Sequence, residues 1–248
     1  MDKTKLEEAA SLIKEAKNCM AFTGAGVSVE SGIPPFRGEN SLWERYDPVI
    51  LDLKYFQQYP EESWPVIREI FYDFYGKAQP NKAHQVLARM EQEGLLTCVV
   101  TQNIDNLHQV AGSKVVHEFH GNLHYLVCMD CGFRQSAPEV DLSVLPLLCK
   151  HCRGLVKPDF IFFGEQIPEK AYADSLAAAR KADVCLVMGS TGEVMPAAMI
   201  PREAHRHGAA MIEINPELSH FTGDITHIHL RGKAGELMSL LEPLIFAE

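Results

Sequence analysis

Positive charge is scarce in this sequence. Its 248 residues include 23 Lys and Arg against 33 Asp and Glu, which gives a formal net charge of -10. Because phosphate affinity comes mainly from Lys and Arg, this balance argues against a strong DNA- or RNA-binding surface. It suits a partner rich in positive charge, such as a lysine-bearing tail.

Long apolar segments are also missing. No uninterrupted apolar run reaches the roughly 20 residues that a membrane span requires. The first residues, Met-Asp-Lys-Thr-Lys-Leu-Glu-Glu, are acidic in part and have no apolar h-region, so we expect no signal peptide. Hydrophobic residues still make up 46% of the chain, enough to bury a substantial core.

Short apolar runs alternate with helical patterns along most of the chain. The runs, rich in β-branched residues, predict buried parallel strands at 19–22, 97–101, 115–119, 184–188, 210–214 and 226–230. The helical patterns fall at about 4–17, 81–93, 168–181, 195–206 and 234–245. This alternation predicts an α/β fold with a doubly wound parallel sheet.

Two regions break the alternation, and we interpret both as insertions into one domain spanning 1–248. Residues 33–80 are rich in proline and aromatics, and residues 121–163 contain paired cysteines. The predicted large part comprises about 1–32, 81–120 and 164–248. The predicted small part comprises about 33–80, a helical insertion, and 121–163, a zinc module.

The seven cysteines are odd in number, and four of them form two Cys-x-x-Cys pairs, Cys128/Cys131 and Cys149/Cys152. Their separation is typical of a zinc ribbon, with a redox pair or coincidence as the alternatives. Four thiolates close the coordination shell, so the predicted zinc is structural and His151 is not needed as a ligand. Metal-binding pairs suit a reducing compartment, so we expect a cytoplasmic protein. The other cysteines are expected in the core: Cys19, Cys98 and Cys185.

Three polar motifs follow predicted strands. The turn at Gly24 and Gly26 is suited to a pyrophosphate, although tight Gly-x-Gly turns are common without one. The stretch from Thr101 to His108 lies where open α/β sheets bind ligands, although Asn and Asp also cap helices. His120 ends a strand and precedes Gly121, so its imidazole can reach the same crevice as a general base. The remaining histidines are expected to be structural.

Together these motifs resemble the sirtuin family over nearly the whole chain. The matching stretches are Gly24-Ala-Gly26-Val-Ser28 with Gly32-Ile-Pro-Pro-Phe36-Arg37-Gly38, Thr101-Gln-Asn103-Ile-Asp105-Asn-Leu-His108, His120-Gly121, the paired cysteines, Phe163-Gly164-Glu165, Gly189-Ser-Thr191 and Ile214-Asn215-Pro216. The resemblance implies a Rossmann-like large domain and a small domain built from a zinc module and a helical insertion. NAD and an acyl-lysine peptide enter the cleft between them.

The resemblance also implies roles for individual residues. His120, as the base, and Asn103 are the implied catalytic residues. NAD is implied to contact Gly24, Ala25 and Gly26 at the phosphates, Phe36 and Arg37 in a loop that closes over it, Gln102, Asn103 and Asp105 at the ribose and nicotinamide, Asn215, Gly189, Ser190 and Thr191 in the adenosine half, and Ala234 near the adenine. The peptide is implied to pair between Phe163-Gly164-Glu165 and Gly192-Glu193-Val194.

The implied reaction is NAD-dependent removal of an acyl group from a protein lysine. The acyl oxygen attacks the ribose carbon as nicotinamide leaves, and His120 takes a proton from the ribose hydroxyls. Free lysine, nicotinamide and O-acyl-ADP-ribose result.

The acyl preference follows from a departure from the family. Sirtuins that prefer succinyl or malonyl groups carry a Tyr-x-x-Arg motif, and the corresponding positions here hold Arg68 and Phe71. Since a buried carboxylate without a partner is costly, a neutral acyl group is expected. Arg68 could still reach an acidic group from another angle.

Three other functions are compatible with parts of the sequence. An ADP-ribosyltransferase or NAD glycohydrolase would use the same cofactor pocket without a peptide groove. A non-catalytic NAD or ADP-ribose sensor would not need His120, Asn103 and Asp105 together. A nucleic-acid-binding zinc ribbon is disfavoured by the acidic net charge.

Overall fold

The structure is a computed structural model that describes residues 2–36, 41–74 and 78–247, without the side chain of Phe74. The strands are β1 (Cys19–Thr23), β2 (Cys98–Thr101), β3 (Val116–Glu118), β4 (Gly121–Cys128), β5 (Arg134–Ser136), β6 (Val156–Phe160), β7 (Val184–Met188), β8 (Ala210–Asn215) and β9 (Ile228–Arg231). The α-helices are α1 (Lys3–Glu15), α2 (Leu53–Gln58), α3 (Pro60–Ile67), α4 (Lys82–Gln92), α5 (Leu107–Ala111), α6 (Glu169–Lys181), α7 (Met199–Arg206) and α8 (Ala234–Ile245).

Six strands form one parallel sheet in the order β3-β2-β1-β7-β8-β9. Successive side chains of a strand point to opposite faces, and both faces of this sheet are covered. Cys19 and Ala21 pack with α1, α4 and α8, whereas Met20 and Phe22 pack with α6 and α7. The predicted doubly wound parallel sheet is confirmed.

The strand order reverses between β1 and β7. From β1 the chain adds β2 and β3 on one side, and from β7 it adds β8 and β9 on the other. In open α/β sheets such a reversal leaves a crevice at the carboxyl ends of the strands, where ligands bind. The loops after β1, β2 and β7 therefore meet at this point.

The sequence also predicts that the glycine turn opens a helix, and this helix and the one predicted from residue 195 differ in detail from the prediction. The glycine turn opens a 3₁₀ helix, Ala25–Ser31, which ends at Gly32 with φ 86°. The helix predicted from residue 195 begins only at Met199. Pro196 explains the delay, because the residue before a proline is disfavoured in helical conformation.

A second sheet is antiparallel and three-stranded, in the order β5-β4-β6. It shares one apolar cluster with helices of the preceding insertion, including α3 and a π-helix at Arg68–Phe74. Trp64 is fully buried there, and its indole N–H donates to the carbonyl of Val156 at 2.9 Å. The two insertions are thus packed against each other. Within the described part of the chain, no helix has the length and apolarity to cross a membrane.

Candidate functional site

The loops after β1 and β7 touch backbone to backbone. The Gly24 N–H donates to the Met188 carbonyl at 3.0 Å, and the Gly26 N–H donates to the Gly189 carbonyl at 2.9 Å. A Cβ on Gly24 would lie 2.7 Å from the Gly189 carbonyl oxygen, and one on Gly26 would lie 2.7 Å from the Gly189 Cα. Both positions therefore need glycine because the two loops approach so closely.

A buried hydrogen-bond network joins the loops after β1 and β2. The Ser28 hydroxyl donates to Asp105 Oδ2 at 2.7 Å and accepts from Asn103 Nδ2 at 3.1 Å. Burial raises the pKa of Asp105, and the hydrogen bonds from Ser28 and the Leu107 N–H oppose that shift. A pocket opens beside the network and is lined by Ala25, Ser28, Ile33, Phe36, Asn103, Ile104 and Asp105.

Two histidines lie beneath this network. His84 Nδ1 accepts from the Asn81 N–H at 3.3 Å, so the neutral ring carries its proton on Nε2, which lies 3.4 Å from the Ser28 hydroxyl. The rings of His84 and His108 are 4.8 Å apart, and His108 Nε2 is 2.9 Å from the Thr23 hydroxyl. Burial lowers the pKa of His84 to about 4. Sequence reasoning missed Ser28 and His84 as site residues, because only the fold brings them to Asn103 and Asp105.

His120 lies on the connection between β3 and β4. Its Nδ1 is 3.1 Å from the carbonyl of Gln102, an acceptor only, so Nδ1 carries the proton and Nε2 keeps a basic lone pair. Burial lowers the pKa of His120, and the hydrogen bond to Gln102 opposes the shift. The Gln102 side chain donates to the Ser190 hydroxyl at 2.8 Å. His120 is therefore neutral near pH 7 and fixed by the loop after β2.

The other half of the crevice follows β7 and β8. Asn215 Nδ2 donates to the Ser190 carbonyl at 2.9 Å and to Glu213 Oε1 at 3.3 Å. Glu213 is fully buried. Burial alone would raise the pKa of Glu213, but hydrogen bonds from Ser219, Thr226, Thr222 and Asn215 lower it overall. The buried carboxylate thereby orients Asn215, a contribution that the sequence did not reveal.

The remaining cofactor residues flank these loops. The Thr191 carbonyl accepts from the His220 N–H at 2.9 Å. Ala234 begins α8, where the Gly235 N–H donates to Glu30 Oε2 at 2.6 Å. The ring of Phe36 lies 5.5 Å from that of Trp43. Arg37 lies outside the described residues.

The two segments predicted to hold a peptide follow β6 and β7. The side chain of Phe163 is exposed, but its N–H donates to the Leu51 carbonyl at 2.8 Å and its carbonyl accepts from Leu53 at 3.0 Å. Within the described residues, the Gly164 N–H has no protein acceptor. Gly192, at φ 75°, begins the second segment and is followed by Glu193 and Val194.

Arg68 and Phe71 lie on the π-helix and do not line the pocket beside Ser28. Arg68 Nη1 donates to the Leu142 carbonyl at 3.1 Å, and its Nε is 3.4 Å from Asp73 Oδ2. Phe71 is buried, with its ring 5.1 Å from that of Phe160. The guanidinium is therefore engaged with protein groups.

The four paired cysteines converge on one point, with sulfurs within 4.8 Å of one another: Cys128, Cys131, Cys149 and Cys152. The shortest separations are 3.5 Å, from Cys128 to Cys152, and 3.7 Å, from Cys131 to Cys149. Tetrahedral zinc with Zn–S bonds of about 2.3 Å implies sulfurs about 3.8 Å apart, so the cluster fits this ion. His151 instead packs its ring 4.2 Å from that of Phe133.

The three remaining cysteines are buried in the parallel sheet, as predicted: Cys19, Cys98 and Cys185. Burial raises the pKa of Cys98 to about 11, which makes a thiolate rare at neutral pH. None of the three belongs to the metal cluster.

Comparison with known proteins assigns this architecture. The Sir2 family model matches residues 24–196. The chain is 41% identical over 245 residues to an NAD-dependent protein deacylase of Thermococcus kodakarensis, covering 94% of this chain and 93% of that protein. A solved Sir2 homolog–NAD complex superposes with a TM-score of 0.90 at 39% identity, covering 96% of this chain and 93% of that one. A Sir2–p53 peptide–NAD complex gives 0.88 at 34% identity, covering 95% and 96%.

The chain belongs to the Sir2 family. The resemblance drawn from its motifs is thereby confirmed.

Proposed function

We propose that this protein is an NAD-dependent protein-lysine deacylase that releases nicotinamide and O-acyl-ADP-ribose. The observation that carries the proposal is His120, a neutral imidazole with its basic Nε2 available at the crevice of the parallel sheet. Two comparisons support it. Its relatives include curated NAD-dependent protein deacylases and deacetylases, and a solved homologue binds NAD together with a peptide.

NAD fits the crevice at the reversal of strand order. We assign the phosphates to the glycine turn of Gly24, Ala25 and Gly26, and the ribose with nicotinamide to Gln102, Asn103 and Asp105. Phe36 lines the pocket beside Asn103 and Asp105, which places an apolar ring next to polar groups. The adenosine half is assigned to Gly189, Ser190, Thr191, Asn215 and Ala234, and Arg37 completes the proposed set.

The catalytic steps that the protein performs are positioning and proton transfer. Bound NAD supplies an electrophilic ribose carbon once nicotinamide leaves. The neutral His120 accepts a proton at Nε2 from a ribose hydroxyl, and its Nδ1–H stays on the Gln102 carbonyl throughout. Asn103, oriented by Ser28, contributes an amide beside the same hydroxyls. Ser28 and Asp105 line this side of the pocket and are hydrogen-bonded to each other.

The acyl-lysine peptide is assigned to the gap between Phe163-Gly164-Glu165 and Gly192-Glu193-Val194. Because the Phe163 backbone is already paired, Gly164 offers the open N–H, and the exposed Phe163 ring contacts the acyl-lysine side chain. The acyl group is neutral, since the Arg68 guanidinium is held by Leu142 and Asp73 and Phe71 carries no charge.

The proposal also covers the zinc site, the type of reaction, the two parts of the chain and the cellular compartment. Zinc at the four cysteines is structural, because four thiolates leave no position for water. The acyl group moves to ADP-ribose, a transferase reaction in form. The large part (1–32, 81–120, 164–248) carries most of the NAD contacts. The small part (33–80, 121–163) adds Phe36 and Arg37 to the NAD site and borders the peptide. A thiol-based metal site suits the cytoplasm.

Mass spectrometry of the purified protein with NAD tests the proposal, using matched acetyl-, butyryl-, myristoyl- and succinyl-lysine peptides. We expect NAD-dependent free lysine together with O-acyl-ADP-ribose, and least turnover of the succinyl peptide. Nicotinamide release with every peptide still acylated would instead establish ADP-ribosyl transfer or NAD hydrolysis.

A further inference from the structure

Lys157 is a buried lysine on β6 that the reaction scheme does not use. Its side chain is 7% exposed, and its Nζ donates to the Pro158 carbonyl at 2.9 Å and the Phe160 carbonyl at 2.7 Å. The third neighbour is Glu165 Oε2, at 3.0 Å. Three acceptors match the three N–H donors of an ammonium group. Burial lowers the pKa of Lys157, and the Glu165 carboxylate opposes that shift.

Glu165 closes a loop around this ammonium group. The same oxygen that faces Lys157 accepts from the Phe162 N–H at 2.6 Å. Lys157 Nζ also lies 4.7 Å from the centroid of the buried Phe162 ring. One ion pair thus holds both the end of β6 and the residues that follow it.

The loop held by this pair reaches both the base and the peptide segment. The Ile161 N–H donates to the His120 carbonyl at 2.8 Å, and the next exposed residues are Phe163 and Gly164. A shift of residues 161–165 would therefore move the open Gly164 N–H and the Phe163 ring together. The ion pair itself lies behind that surface, since both charged side chains are largely buried.

We propose that Lys157 and Glu165 are positioning residues that hold the Phe163-Gly164 segment in the conformation that pairs with an acyl-lysine peptide. The inference rests on the proposed function, because it takes this segment as the peptide site. Neither side chain contacts the reacting atoms. They act through the backbone of residues 161–165. A buried charge pair can hold a backbone segment in this way only where each charged group has its hydrogen-bond partners.

Two variants test the proposal, Lys157→Met and Glu165→Gln. Each should raise the KM for an acetyl-lysine peptide on the order of 10- to 100-fold, the effect of misplacing a substrate by about 1 Å. The KM for NAD and the zinc content should stay within about twofold of wild type, because residues 161–165 include none of the residues assigned to NAD or zinc. Lys170→Met is the matched control, since Lys170 is exposed and pairs with Asp174 at 2.6 Å. It should leave both KM values unchanged.

A purely structural role would give a different result. If peptide and NAD KM rise together as the melting temperature falls, the positioning role is wrong. If Lys157→Met does not fold, Glu165→Gln decides, because its amide oxygen still accepts the Phe162 N–H. An unchanged peptide KM in that variant overturns the proposal.

Peptide affinity, measured by fluorescence anisotropy with a labelled acetyl-lysine peptide, separates this inference from the proposed function. If the wild type binds the peptide tightly without deacylating it, and both variants bind it more weakly, the deacylase function is wrong and the positioning role is supported. If the wild type deacylates the peptide and both variants bind it with wild-type affinity, only the positioning role is wrong.

Discussion

The two sheets of this protein differ in how completely apolar burial covers their strands. Every residue of β1 and β7 in the parallel sheet is buried. In the antiparallel sheet, β5 has no fully buried residue and β4 has two successive exposed ones. Burial of apolar surface stabilises both sheets, and the second also has four clustered thiols and the Lys157–Glu165 pair, which join its strands and loops.

The difference matters because the candidate site is divided between the sheets. The loops after β1, β2 and β7 belong to the well-buried sheet, and the segment after β6 belongs to the other. His120 sits between them, with its side chain on Gln102 and its carbonyl bonded to Ile161. A base anchored from both sides keeps one geometry only while both sheets are intact.

The largest expected effect is that of removing zinc. Zinc binding in zinc-finger peptides is worth about 10–16 kcal/mol, so its loss should unfold the antiparallel sheet while the parallel sheet remains. Hydrogen exchange after chelation should show lost amide protection across 121–160 and retained protection in β1 and β7. Equal loss in both sheets would mean that they unfold as one unit and would remove the contrast.

Matched cysteine variants sharpen that experiment. Cys149→Ser removes a cluster ligand and should abolish stoichiometric zinc in the purified protein, measured by elemental analysis. Cys98→Ser alters a buried thiol in β2 outside the cluster and should keep zinc bound. Loss of zinc from the Cys98 variant would contradict the assignment.

Replacing His120 should give the next largest effect. His120→Ala removes the proton acceptor and should lower deacylation about 10²- to 10⁴-fold, with peptide and NAD affinity nearly retained. The melting temperature should change little, because the Ile161 hydrogen bond uses the backbone of residue 120. Turnover at the wild-type rate would eliminate His120 as the base. A large loss of stability would show that the side chain supports the junction of the two sheets.

Gly189→Ala tests how tightly the loops of the parallel sheet pack. Gly189 has φ 62°, and an added Cβ would overlap the amide nitrogen of Val27 and the backbone of Gly26. We expect a loss of about 3–5 kcal/mol in the free energy of unfolding, measured with urea. Gly208→Ala is the control, since φ is 94° there but nothing lies within 4 Å of a Cβ. It should cost only the conformational penalty of about 1–2 kcal/mol. Equal losses would mean that contact with Val27 adds nothing.

Features that follow from a local pattern were predictable from the sequence, whereas contacts between distant residues were not. Strands β1 and β7 were predictable because full burial leaves a continuous apolar run, and the cysteine ligands were predictable because metal geometry fixes their spacing. Ser28 and Asp105 are 77 positions apart and meet only in the fold. The Arg68 contact with Leu142 was equally hidden, because a side chain's partner depends on how two insertions pack.

The smallest expected effect is a loss of stability in acid, caused by protonation of His84 in the unfolded chain. The pKa of His84 is lowered from 6.5 to about 4, so the unfolded chain binds a proton in a range where the folded protein does not. This histidine's burial therefore leaves stability unaffected above pH 6.5 and reduces it as pH falls from 6.5 towards 4. The loss should reach about 3 kcal/mol, read from urea unfolding at successive pH values.

A comparison of variants separates this effect from acid release of zinc. His84→Gln keeps a side chain that can bond Ser28 but removes the titrating ring, so its stability should fall less steeply between pH 6.5 and 4. His108 and His120, whose pKa values burial also lowers, contribute to the slope that remains. His220→Gln alters an exposed histidine and should keep the wild-type slope. Equal slopes in all three proteins would mean that the burial of His84 is not the cause of the stability lost in acid.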